Sequence, residues 1–133
     1  MPLNIALQKN LPPFVKNLGF TITEATSDRL VAELTVTEDL TNGDGAMHGG
    51  AIMAIADTMG ALGTMVNIAR SARTTTLESK TNFVGAAPIG AQLVAEATPI
   101  HRGKTTQVWQ TRITRADGKL VALVTQTQLV LGG

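Results

Sequence analysis

The sequence predicts an α+β domain: one antiparallel sheet wrapped around a single long central helix, with a short helical segment at the N-terminus. Three observations carry this. Period-two alternation fills most of the chain after Phe20. One apolar stretch, Gly49 to Ala69, stands in the middle of it. The 133 residues are 44% hydrophobic and only 16% charged, which excludes a disordered chain and suits one core, so residues 1–133 read as one domain.

At the N-terminus, Ile5, Leu7, Leu11, Phe14, Val15 and Leu18 fall at helical spacing. Pro12 and Pro13 divide this stretch into two short helices, and Gly19 ends it. From Phe20 to Thr37 the period becomes two. Leu30, Ala32, Leu34 and Val36 share one face, with Arg29, Glu33, Thr35 and Thr37 mainly on the other. Thr26-Ser27-Asp28 marks a hairpin turn within this stretch.

A polar, glycine-rich loop, Thr41 to Gly45, leads into the apolar stretch. Gly49 to Ala69 is about as long as a membrane-spanning helix. Asp57 near its middle would cost about 2.5–3.5 kcal/mol in lipid, and Thr58, Thr64 and Asn67 add polar load. The stretch reads as a helix buried within protein. Four strands follow in an expected meander: Thr74–Val84, Gln92–Ile100, Thr105–Arg115 and Lys119–Leu131. Their turns are Gly85–Gly90, His101–Lys104 and Asp117-Gly118. One sheet covers only part of an all-round apolar helix, so a second copy of the chain is expected on the rest.

Composition narrows function. Lys and Arg total 11 against 10 Asp and Glu, a net charge of +1, and aromatics are 3%. This is no footprint for nucleic acid or for an anionic membrane. The chain has no cysteine, so thiol nucleophiles and zinc–thiolate sites are excluded. Met1 to Asn17 lacks the charged and apolar regions of a signal peptide, and the expected compartment is the cytoplasm.

Chemistry concentrates between Asn42 and Asp57. Glycines before a helix admit a ligand close to the backbone, and the first helical N–H groups can hold an anion or oxyanion. The same loop also serves as a tight entry to a buried helix. A carboxylate inside an apolar helix is costly unless it is paired or reaches water. Two roles fit Asp57: a structural partner for a group such as a strand threonine, or a base or nucleophile lining a cleft. His48 alone reads as a loop hydrogen-bonding residue. With His48 and His101 the only histidines and no carboxylate at ligand spacing, no metal site is expected. Ser27, Ser71 and Ser79 sit in no nucleophile elbow. The turn from His101 to Lys104 reads as a solvated hairpin tip.

The pattern Asn42-x5-His48-Gly49-Gly50-x6-Asp57 resembles the hotdog-fold acyl-CoA thioesterases of the phenylacetate-degradation type. The likeness continues through Thr76–Pro88, His101–Lys104, Gln107–Gln110 and the DGKLVA hairpin, covering roughly Arg29 to Leu131. It implies a mechanism. Asp57 matches the catalytic acid, acting as nucleophile or general base. Gly49 matches the glycine whose N–H polarises the thioester carbonyl. Asn42 matches a residue placing water or acyl group, and His48 a loop organiser and donor. Thr76 matches a Ser/Thr that orients water. Gly50 completes the His-Gly-Gly step as a substrate-binding residue. Arg102, Lys104, Arg70 and Arg73 become candidates for the coenzyme A phosphates.

The resemblance further implies an acyl-CoA substrate, no cofactor beyond the coenzyme A it carries, and a homodimer, itself expected to pair into a dimer of dimers. Asp57 and Thr76 would come from one subunit; Asn42, His48 and Gly49 would come from the other. The chain before Arg29 carries no matching motif, and in this family that region often shapes the acyl pocket. A non-catalytic acyl-CoA-binding protein is the alternative, and a dehydratase on the same fold a third reading.

Overall fold

A computed structural model describes all of residues 1–133. The N-terminal segment forms α1 (Leu3–Lys9) and α2 (Pro13–Lys16), divided where Pro12 and Pro13 predict a break. Gly19 follows with φ +78°, a left-handed conformation that a side chain would strain. The strands are β1 (Thr21–Thr26), β2 (Arg29–Thr35), β3 (Ala72–Phe83), β4 (Gln92–Arg102), β5 (Thr106–Arg115) and β6 (Leu120–Gly132). The central helix α3 runs Gly49–Val66, 18 residues or about 27 Å.

The six strands form one antiparallel sheet in the order β1-β2-β4-β5-β6-β3. This corrects the expected four-strand meander. β4, β5 and β6 follow one another as hairpins, but β3 does not pair with β4. It lies at the far edge against β6, with Ala72 opposite Gly132 and Phe83 opposite Ala122. The segment Gly85–Gly90 is therefore a crossover from the β3 edge past β6 and β5 to β4 in the interior of the sheet. It is pinned by Gly90 N–H to Val36 O at 2.8 Å and Met47 N–H to Ala87 O at 2.8 Å.

α3 packs against β2 through β6. It buries Ile52, Ile55, Ala56, Met59 and Leu62 but leaves Met53 and Met65 exposed, as expected of a helix that one sheet covers in part. Packing is closest where the helix lacks side chains. A Cβ at Gly60 would lie 2.3 Å from Gln126 Cδ, and one at Gly63 2.7 Å from Trp109 Cζ3. Trp109 and Gln126 thus rest on the helix backbone.

The inner face of the sheet changes character across its width. Under β2 and β4 it is aliphatic: Leu30, Ala32, Leu34, Leu93, Ala95 and Ala97. Under β5 and β6 it carries Gln107, Thr111, Gln126 and Gln128, all buried. The two sheet edges differ as well. At β1, Gln8 of α1 accepts from Ile22 N–H at 2.8 Å and donates to Phe20 O, and Asn4 donates to Ile22 O. Side-chain amides thereby cover that edge. No element covers the outer edge of β3, which is twelve residues long.

Candidate active site

Asp57 sits at the middle of α3, half-buried, facing the polar part of the sheet. Its Oδ1 accepts from the Thr76 hydroxyl at 2.5 Å and from Gln126 Nε2 at 3.4 Å. Gln126 Nε2 also reaches the Asp57 carbonyl at 3.2 Å. Oδ2 receives no hydrogen bond, and no cation pairs with the carboxylate. One oxygen is thus tethered and the other is bare. Thr76 reaches this position at a β-bulge: it faces Gln128 on β6, Leu77 is extra, and pairing resumes at Glu78 and Thr127.

The second group of candidates lies at the start of α3. His48 is the N-cap, and its Nδ1 accepts from Gly50 N–H at 2.7 Å. A ring nitrogen here does what a Ser or Asp side chain commonly does. Because Nδ1 accepts, the neutral imidazole carries its proton on Nε2, directed away from the helix as a donor. Gly49 N–H, the first of the helix, makes no hydrogen bond within the chain. It is a free donor at the positive end of the helix dipole. Beside it lies an open groove of about 300 Å³ whose lining mixes Phe14, Leu18, Leu40 and Ala51 with Asp39, Thr41, His48 and Gly50. Asn42 stands nearby in the loop, where its Oδ1 accepts from Asp44 N–H at 3.2 Å, so its amide NH₂ remains available. Eight residues of helix, about 12 Å, separate Gly49 from Asp57.

Residues 44–122 match the thioesterase superfamily. The chain belongs to that superfamily. A 1,4-dihydroxy-2-naphthoyl-CoA hydrolase of Listeria monocytogenes is 30% identical over 108 residues, which cover 81% of this chain and 87% of the relative. The PaaI protein from the phenylacetic acid degradation operon of E. coli superposes with a TM-score of 0.87 at 27% identity, over 98% of this chain and 92% of that one. A Streptococcus pneumoniae thioesterase crystallised with coenzyme A gives 0.79 at 26% identity, over 85% and 89%. The architecture is the hotdog fold, and this thioesterase is a thioester hydrolase of the PaaI-like type.

The remaining sequence candidates of this thioesterase fall into two groups. Gly50 has its N–H engaged by His48, and a Cβ there would stand 2.9 Å from His48 Nδ1. Its missing side chain makes room for the cap. Arg102 is tied down: its Nη1 donates to Asp28 Oδ1 at 2.7 Å and Ser27 O at 2.8 Å, bracing the β1–β2 turn. Arg70, Arg73 and Lys104 are exposed and make no ion pair. All four cations follow the C-terminal end of α3 or the end of β4, far from His48 of the same chain. No group of three or more His, Asp or Glu side chains converges as a metal site would require.

Gln126 and Gln128 are the polar residues that sequence reasoning missed. The signal was their register. Along β6 they share the alternation of Ala122 and Val124, which places both on the buried face.

Proposed function

We propose that this protein is an acyl-CoA thioesterase that hydrolyses an acyl- or aroyl-CoA to the free acid and coenzyme A. The observation that carries the reading is the Asp57 carboxylate, held through Oδ1 by Thr76 and Gln126 while Oδ2 stays bare. Asp57 is only half-buried and Oδ2 is not among the buried unpaired atoms, so that oxygen is open to a substrate or to water.

The chemistry needs two parts. Oδ2 attacks the thioester carbon, or takes a proton from the water that does. A backbone N–H stabilises the negative charge that develops on the carbonyl oxygen. As base, Asp57 takes one proton of the attacking water, the new C–O bond replaces the C–S bond, and that proton passes to the departing coenzyme A sulfur. As nucleophile, Oδ2 displaces coenzyme A as its thiolate, and water then hydrolyses the Asp57–acyl anhydride, freeing the acid, restoring the carboxylate and supplying the thiol proton. Gly49 N–H suits the donor role, with His48 Nε2–H and the Asn42 amide beside it. Within one chain these lie about 12 Å of helix from Asp57, so the complete site takes Asp57 and Thr76 from one subunit and Asn42, His48 and Gly49 from its partner. The uncovered β3 edge is the natural pairing surface for that second copy, because β1 is already covered by α1. The groove beside His48, with Phe14, Leu18 and Leu40, would take the acyl group. Arg70, Arg73 and Lys104, with Arg102 as a rival, would meet the phosphates of coenzyme A.

The test is release of coenzyme A from a panel of acyl- and aroyl-CoA esters, followed with a thiol-detecting reagent. Asp57→Ala should abolish turnover without unfolding the protein, and Asp57→Asn should slow it severely. Wild-type turnover in Asp57→Ala would end this mechanism and favour a protein that only binds acyl-CoA.

A further inference from the structure

A line of hydrogen-bonded side chains, with buried Gln128 at its centre, leads across the polar inner face to Asp57. Thr74 Oγ1 donates to Gln128 Oε1 at 2.8 Å. Gln128 Nε2 donates to Thr76 Oγ1 at 2.6 Å, and Thr76 Oγ1 donates to Asp57 Oδ1 at 2.5 Å. Gln128 is fully buried and lies opposite Thr76 in the β3–β6 ladder.

We propose that Gln128 is a positioning residue for hydrolysis: it fixes the Thr76 hydroxyl so that its single proton points at Asp57 Oδ1, leaving Oδ2 as the reacting oxygen. This rests on the reading of Asp57 given above. A hydroxyl has one proton and two lone pairs, and it rotates to suit its neighbours. An ionised carboxylate only accepts, so Thr76 must donate to it. The lone pairs of Thr76 then require a donor, which Gln128 Nε2 supplies. Were the Gln128 amide turned over, its carbonyl would compete with Asp57 for the Thr76 proton. Thr74 prevents this by donating to that carbonyl. The chain of bonds ends on a charge, where hydrogen bonds are strongest.

Stability alone does not account for Gln128. Ala122 and Val124 occupy the same face of β6, and burying an amide is costlier than burying an aliphatic side chain. Gln126, its neighbour on that face, has its Oε1 buried with no partner at all. Gln128 has both ends of its amide bonded and no exposure, so it reaches the reacting groups only through Thr76.

The decisive experiment is a double-mutant cycle between Gln128→Met and Thr76→Val, read as kcat and KM on a CoA ester that the wild type hydrolyses. Met keeps the volume, and the Thr74 proton can turn to Leu129 O, 3.0 Å away. Gln128→Met should lower kcat about 10- to 100-fold, with KM changed less than about twofold. In the Thr76→Val background the same change should leave kcat within about twofold, because the relay is already cut. Gln128→Glu, which sets an acceptor against Thr76, should fall further than Gln128→Met. Should Gln128→Met not fold, Gln128→Asn keeps an amide one methylene short of Thr76 and carries the same expectation. Unchanged kcat in a folded Gln128→Met, or an equal loss in both backgrounds, overturns the proposal while Asp57→Ala remains inactive. An active Asp57→Ala overturns the underlying reading, and the relay with it.

Discussion

Proline at position 49 would remove one hydrogen from the proposed electrophilic half of the site and little else. His48, just before it, has φ −63° and ψ 135°, the extended conformation that a residue preceding proline prefers. Gly49 is the first helical residue, where proline is favoured because the N–H there has no helical partner. That N–H makes no bond within the chain, so no contact of the fold is lost. One steric effect opposes the change. A Cβ at Gly49 would stand 3.1 Å from Phe83 Cε1, but that ring is 55% exposed and can yield by a few tenths of an ångström. Restricting the unfolded chain contributes about 0.4–1 kcal/mol in the other direction, so urea unfolding should place Gly49→Pro within about 1 kcal/mol of wild type. Activity should behave differently. Loss of one oxyanion donor costs about 2.7–4 kcal/mol in the transition state, or about 10²–10³ in kcat, measured as thiol release. Gly49→Ala is the control, since it adds the same Cβ and keeps the N–H. If Gly49→Pro turns over within about threefold of Gly49→Ala, the oxyanion is held by some other group and the assignment of Gly49 is wrong.

Other outcomes follow from the same geometry. Mixing Asp57→Ala chains with Gly49→Pro chains and letting them re-pair should restore about one quarter of wild-type activity, because half of random dimers are mixed and each mixed dimer keeps one site of two intact. No recovery would place both residues in the site of a single chain. Gly63→Ala should lower urea stability by up to about 2 kcal/mol: crowding Trp109 at 2.7 Å outweighs the gain of about 1 kcal/mol in helix propensity, and a more stable variant would contradict the close packing. The carboxyl of Asp117 is lowered from 3.8 to about 2 by the Arg115 guanidinium and the Lys119 N–H. A lowered folded value stabilises above the unfolded one, so the stability difference between wild type and Asp117→Asn should be constant above about pH 5 and shrink as pH falls from about 4 to 2. A difference independent of pH across that window would show that the clamp does not form.

Local chemistry was legible in the sequence and long-range pairing was not. Pro12, Pro13 and Gly19 marked the two N-terminal helices and their end, and Ser27-Asp28 and Asp117-Gly118 marked hairpins, because each acts through its own backbone torsions. The place of β3 was lost for the opposite reason. Gly85–Gly90 has the residues of a turn, and a turn's composition does not tell a hairpin from a crossover. What holds β3 beside β6 is a backbone ladder between residues distant in sequence, from Ala72 and Gly132 to Phe83 and Ala122, with Thr74, Thr76 and Gln128 among its side chains. The polar character of those side chains also hid them, since Gln and Thr at alternating positions read as a solvent face. Of the site, Asp57 and Thr76 are brought together within one chain, a pairing that both roles considered for Asp57 allow, and His48 caps the helix it precedes. Arg102 looked like a free cation at a hairpin tip because its partner, Asp28, belongs to a turn seventy-four residues earlier.

The distance between the two halves of the proposed site has its own physical reason. Within a helix the N–H groups without an intrahelical partner lie in the first turn, so a backbone oxyanion donor supplied by α3 lies there. A carboxylate in that same turn would bond to those N–H groups as a cap, and each would satisfy the other. Here the cap is the uncharged Nδ1 of His48, which takes the Gly50 N–H and leaves that of Gly49 open. Asp57 stands about 12 Å further along, tethered by one oxygen to the sheet. Neither reactive group can quench the other within its own chain. A second copy paired along the bare β3 edge would bring the donor of one helix to the carboxylate of the other, so that assembly and catalytic competence become a single event.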